Sequence, residues 1–142
     1  MPESDYSRFI EQAIPNIETC MAIPVNKITD RILVRRQVRE AARGMNFGLI
    51  EQATISLAAY NVISKMGMGM TCNGEVFVNH VQDGIRDGVQ IVCTTTNNKI
   101  VNITLNSFSD TYWLVDELKV EKITPNGARV IFVIWSKLGA IL

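Results

Sequence analysis

The spacing of apolar and polar residues changes period several times along the chain, and each change marks a candidate element. Between residues 4 and 14, Phe9, Ile10, Ala13 and Ile14 form one helical stripe that Ser4 can cap and Pro15 ends. Residues 18–25 (ETCMAIPV) read as extended, and Pro24 suits an edge strand, where a missing N–H costs no ladder bond. A helix is expected from Thr29 or Asp30 to Arg43-Gly44, a basic last turn followed by glycine. At 100° per residue Val34, Val38, Ala41 and Met45 share one face, and Arg35, Arg36, Arg39 and Arg43 share the other. After the turn MNFG (45–48), residues 49–66 carry the longest unbroken helical pattern. Its second half, AAYNVISKM, is apolar nearly all round, the mark of a buried helix.

The run Met66-Gly-Met-Gly-Met70 is too rich in glycine to extend that helix. GEVFVNHV (74–81) alternates as a strand, DGIRDG (83–88) is turn chemistry, and VQIVCTTT (89–96) returns as a second strand. Asn97-Asn98-Lys99 reads as a turn and IVNITLNSF as extended or irregular. Ser109 or Asp110 can cap a short helix over 110–118, and KVEKI, the turn PNG (125–127) and ARVIFVIW (128–135) form a closing hairpin. The order predicts an α+β fold, a two-layer sandwich with helices on one face of a mixed β-sheet. Leu57, Val62, Ile91, Leu114, Val130 and Phe132 are the expected core between the layers.

Composition narrows the function classes. The 142 residues fit one domain, 1–142, with 1–17 as an N-terminal helical extension. Fourteen basic side chains balance fourteen acidic ones, which argues against a dedicated nucleic-acid binder. No stretch reaches the roughly 18 apolar residues of a membrane span, and the acidic opening MPESDYSRFIEQ is unlike a secretory signal. Cys20, Cys72 and Cys93, odd in number and far apart with a single His80, fit reduced thiols in a cytoplasm. Without a secretion signal, the sequon Asn102-Ile103-Thr104 reads as a chance match. The charge is nevertheless uneven: Lys27, Arg31, Arg35, Arg36, Arg39 and Arg43 share a segment with only Asp30 and Glu40, a local excess of four positive charges.

The stretch MNFGLIEQATISLAAYN, the strand pair after it, TYWLVDELKVEK and a final hairpin near Gly127 together resemble the anti-sigma regulatory-factor branch of the GHKL ATPase and kinase family. The likeness covers roughly residues 18–136 and rests on fold signatures. It implies a histidine-kinase-like ATPase fold in a bacterial regulator of transcription that binds a sigma factor, an antagonist or a related kinase in partner switching. Active members place a Glu base and an Asn magnesium ligand four residues apart, one turn along a helix. Aligned without gaps from MNFGLIEQATIS, those positions fall on Asn61 and Lys65, and a shifted register puts Leu57 at the base and Asn61 at the metal ligand. The DxGxG motif that meets adenine falls on Thr95, Asn97 and Lys99, and the Gly-rich phosphate lid has no counterpart in IVNITLNSFSD, which lacks glycine. The resemblance therefore implies a pseudo-enzyme with no catalytic or metal-binding residues, and with Asn61, Lys65, Thr95, Asn97 and Lys99 as the degenerate equivalents of the ATP and magnesium site.

The remaining candidates carry both a functional and a structural reading. Lys65 and Lys99 can meet phosphate as point charges or stand solvated beside a filled cleft. Asn61 reads as a buried, hydrogen-bonded amide, and His80, with no Cys or acidic cluster nearby in sequence, as structural. Thr94 to Thr96 lack a paired base and so are not a nucleophile set. Met66, Met68 and Met70 can be an adaptable surface or core filler. Arg31, Arg35, Arg39 and Arg43, four apart, can dock an acidic partner or form a solvated face. The resemblance places this helix where relatives meet their partners. The expectation is a cytoplasmic binding module acting by protein–protein contact. Three alternatives stand beside it: a divergent ATP-binding serine kinase, a non-catalytic partner of an active relative or a homodimer, and a binder of another small ligand.

Overall fold

The computed structural model describes residues 16–95, 104–124 and 127–137. Five strands, β1 (Asn16–Val25), β2 (Gly74–Asp83), β3 (Arg86–Thr95), β4 (Glu117–Thr124) and β5 (Gly127–Trp135), form one sheet in the order β1-β2-β3-β5-β4. Helices α1 (Asp30–Gly44) and α2 (Leu49–Lys65) lie between β1 and β2 in the chain, and a 3₁₀ turn (Leu105–Phe108) runs into the one-turn helix α3 (Ser109–Tyr112) ahead of β4. The fold is α+β. The expected helix at 4–14 and the turn at 97–99 lie outside the described residues.

The expected mixed sheet is corrected: every described strand pair is antiparallel. β2 with β3 and β4 with β5 are hairpins, and for β1 with β2 the cause lies in the connection between them. Two helices packed against each other take the chain down and back, so β2 starts at the end where β1 stopped and must run against it. β4 and β5 form a hairpin, and β5 inserts between its partner and β3. As Pro24 implies, β1 is an edge strand, although it begins at Asn16, inside the expected extension. The expected helix at 110–118 is corrected as well. It stops at Tyr112, and Glu117 and Leu118 belong to β4, where Leu118 packs partly buried against the core.

Alternation along each strand aims one set of side chains at the helices. Ile23, Val76, Val78, Ile91, Cys93, Val130 and Phe132 meet Val34 and Val38 of α1 and Ile55, Ala58, Ala59, Val62 and Ile63 of α2 in one core. Of the six expected core residues, Val62, Ile91, Val130 and Phe132 are fully buried and Leu114 is partly so. Leu57 is the exception and is corrected: it is 41% exposed. The helix assignment stands, but Leu57 points away from the stripe that carries Ile55, Ala58 and Val62.

Two local conformations set the joints of this frame. Asn46 turns the chain between α1 and α2 at φ 66°, a left-handed conformation that asparagine tolerates better than most residues. On the sheet face away from the helices, Gly88 lies beneath the indole of Trp135. A Cβ there would stand 2.7 Å from the ring and 2.9 Å from Val81. Gly88→Ala should therefore cost about 1–3 kcal/mol through overpacking, and Ile91→Ala about 2–5 kcal/mol through the cavity it leaves. Chemical denaturation of both variants checks the values.

Candidate functional site

Three of the residues implied by the resemblance lie along one side of α2. Leu57, Asn61 and Lys65 follow at four-residue steps, so both alignment registers fall on the same stripe. Leu57 and Lys65 are exposed, and Asn61, expected as a buried, hydrogen-bonded amide, is corrected: it is half-buried. No carboxylate belongs to this stripe. At its end the Lys65 ammonium stands 3.9 Å from the Asp110 carboxylate on α3. The 3₁₀ turn that leads into α3 also rests on α2, with Phe108 fully buried in the core and Thr111 nearly so. Thr95, at the end of β3, is fully buried and its hydroxyl donates to the Asn73 carbonyl at 2.7 Å. Asn97 and Lys99 lie outside the described residues. Among the described residues no group of three His, Cys, Asp or Glu side chains is placed to hold a metal ion.

The basic helix divides differently from the four-residue spacing, and one member is corrected. Arg31 is not on the exposed face: it is 8% exposed and its Nε donates to the Met68 carbonyl at 2.8 Å. The reason is geometric. Steps of four drift by about 40° each on a helix, so Arg31 is turned about 120° from Arg43. It shares the inner stripe with Val34, Val38 and Ala42. Arg35, Arg36, Arg39 and Arg43 do face solvent. Arg35 lies 5.8 Å from the ring centroid of Tyr60, and Arg43 bonds Glu40 at 2.9 Å.

Sequence reasoning missed what flanks these arginines. Ile28 and Ile32 are exposed beside them, and Met70 is exposed on the glycine-rich loop. The same loop buries Met66 and Met68 completely, so two of its three methionines are core and one is surface. Gly69, at φ 86°, passes so close to the start of α1 that a Cβ would meet the Lys27 carbonyl at 2.7 Å. The Arg31 bond to Met68 holds the loop there. Asp30 fixes the other side of the contact, its Oδ2 accepting the N–H groups of Asn26 at 2.8 Å and Lys27 at 3.1 Å. The bond from the Asn26 N–H, with that from Lys27 and its nearby charge, holds the Asp30 carboxyl below its ordinary value.

The other nominated groups fall elsewhere. His80 meets Asp87 at 3.0 Å on the β2–β3 hairpin, and Gln82 donates to the same carboxylate oxygen. Those bonds, Gln82 foremost, lower the Asp87 carboxyl. Cys72 and Cys93 are free and buried, and burial pushes the Cys93 thiol up, the opposite of a reactive cysteine. A cavity of about 670 Å³ opens at the start of α2, walled mainly by Leu49, Ile50, Leu114 and Ile134. Glu51 closes its rim by accepting the N–H groups of Gly48 and Lys137. Among the described residues no helix is long and apolar enough to cross a membrane. No protein-family model matches the chain, and no curated protein matches it.

Two outcomes test the seat of the basic helix. Arg31→Met keeps most of the stem but leaves the Met68 carbonyl without its donor, and should cost about 1.5–3 kcal/mol in denaturant unfolding. Asp30 ionises more readily folded than unfolded, so its contribution is complete above the unfolded carboxylate value of about 3.9 and fades as pH falls through the lower folded one. The stability gap between the natural protein and Asp30→Ala, measured across pH, should be full at neutrality and close in acid.

Proposed function

We propose that this chain is a regulatory binding module of the anti-sigma kind, built on a histidine-kinase-like ATPase fold whose nucleotide site has decayed. It works in the cytoplasm through protein–protein contact. The observation that carries this reading is the surface of α1: Arg35, Arg36, Arg39 and Arg43 face solvent beside exposed Ile28 and Ile32, in a segment with a local excess of four positive charges on a neutral chain. Exposed aliphatic side chains followed along the helix by four exposed arginines suit the acidic, partly apolar surface of a sigma factor, an antagonist or a related kinase. The charges steer the encounter and the isoleucines hold the contact.

The α2 stripe supports the decayed half of the reading. In either alignment register the base position carries Leu57 or Asn61, neither of which can take a proton from a nucleophile. The metal-ligand position carries Asn61 or Lys65, and the Lys65 register sets a cation against the place of magnesium. Thr95, at the adenine-acceptor position, has no carboxylate to offer the exocyclic amine.

Three experiments test the proposal. Calorimetry with Mg-ATP should give no binding at physiological nucleotide levels, and a micromolar dissociation constant would return the chain to the kinase class. Asn61→Glu combined with Lys65→Asn should still lack kinase activity. Charge reversal at Arg35 and Arg39 should abolish salt-sensitive capture of an acidic partner from the native cytoplasm. It should leave the unfolding midpoint nearly unchanged, since neither arginine is buried.

A further inference from the structure

Three segments meet at the hollow where α2 begins, and two carboxylates pin them together. Glu51, in the first turn of α2, accepts the Gly48 N–H at 3.1 Å and, from beyond β5, the Lys137 N–H at 3.1 Å. Asp116, just ahead of β4, accepts the Trp135 N–H at 2.7 Å through Oδ2, and its own N–H donates to the Val133 carbonyl at 2.9 Å. The walls are thus held by hydrogen bonds between elements, and Leu49, Ile50, Leu114 and Ile134 give the hollow of about 670 Å³ its apolar lining. A concave, preformed apolar site of that size is what a protein uses to hold a ligand or a partner's side chains. It is also far from the stripe implied by the resemblance, since Glu51 and Lys65 stand about 21 Å apart along the α2 axis.

The surroundings of the hollow favour a chain segment over a small molecule. Leu49 is 73% exposed, and Ile50 and Trp113, the residue before Leu114, are each 84% exposed. Tyr112, also exposed, stands edge-on to Trp113 with ring centroids 5.7 Å apart. A molecule small enough to sit inside the hollow leaves these projecting groups in water, whereas a segment laid across the rim covers them. The rim also selects a sign of charge. Glu51 and Asp116 oppose the single ammonium of Lys137, and neither acid is in an ion pair among the described residues. Asp116 Oδ1 accepts no bond there, and each Glu51 oxygen has room for a second donor.

We propose that this hollow is the docking site for a basic amphipathic helix of a protein partner. A helix sets apolar and cationic groups side by side at one-turn spacing, which is what an apolar hollow flanked by two carboxylates requires. Leucine- or isoleucine-sized side chains enter between Leu114 and Ile134, the lysines or arginines beside them meet Glu51 and Asp116, and Leu49, Ile50 and Trp113 are covered at the flanks. The inference does not rest on the α1 reading, because it concerns other residues and a partner of opposite charge.

The probe is a synthetic peptide of about 14 residues with leucine at helical spacing and lysine between. Added to the whole isotopically labelled chain, it should shift the nuclear magnetic resonance signals of Leu49, Ile50, Leu114, Ile134 and the Trp113 indole, with a dissociation constant below about 100 μM. The same peptide with glutamate for lysine should bind these residues at least about tenfold more weakly. Ile50→Lys, at a position exposed enough to leave folding intact, should weaken binding of the lysine peptide about tenfold or more, and Arg39→Gln, on α1, should leave it unchanged. No shift at millimolar lysine peptide overturns the proposal, as do shifts that map to α1, equal binding of the glutamate peptide at the hollow, or an Ile50→Lys variant that binds as tightly as the natural protein. Signals at the hollow that move on dilution of the protein alone, the mark of a second copy seated there, overturn it as well.

Discussion

Everything in this fold depends on covering one face of a five-stranded sheet with two helices that arrive as a pair. Because α1 and α2 both lie between β1 and β2, the chain returns to the end it left, and the antiparallel pairing of β1 with β2 follows from that insertion. The paired helices bury Val34, Val38, Ile55, Val62 and Ile63 against Val76, Val78, Ile91, Val130 and Phe132. That burial is the main source of stability, since no disulfide is formed by Cys72 or Cys93. It also decides what can be functional, because a helix committed to the core has only its outer side free.

The glycine-rich loop shows how tightly the helix pair is tied in. Gly67 and Gly69 adopt positive φ, and the chain passes close enough to α1 that Arg31 can reach back from the inner stripe to the Met68 carbonyl. An arginine in a buried stripe is costly unless its head group finds an acceptor, and here the loop supplies one. The consequence for the surface is that Arg35, Arg36, Arg39 and Arg43 stand on a helix fixed at its start by Asp30 and Arg31. They form a preset basic ridge rather than a mobile one.

Much of this was legible in the sequence where a period was long and clean. The helices at 30–44 and 49–65 and the hairpin 74–95 follow from amphipathic spacing and turn chemistry, and Pro24 marked the edge strand. The failures have physical causes. Reading arginines at four-residue steps as one face ignored the drift of an α-helix, so Arg31 was placed outside when it belongs with Val34 and Val38. Leu57 sits in a run of apolar residues, yet it is 41% exposed. Period-two and period-3.6 patterns show which faces exist, not how many partners the fold provides, and α2 has none for the side bearing Leu57. Strand direction depends on connections that local pattern does not encode, so a mixed sheet fits the same spacing as the antiparallel one observed.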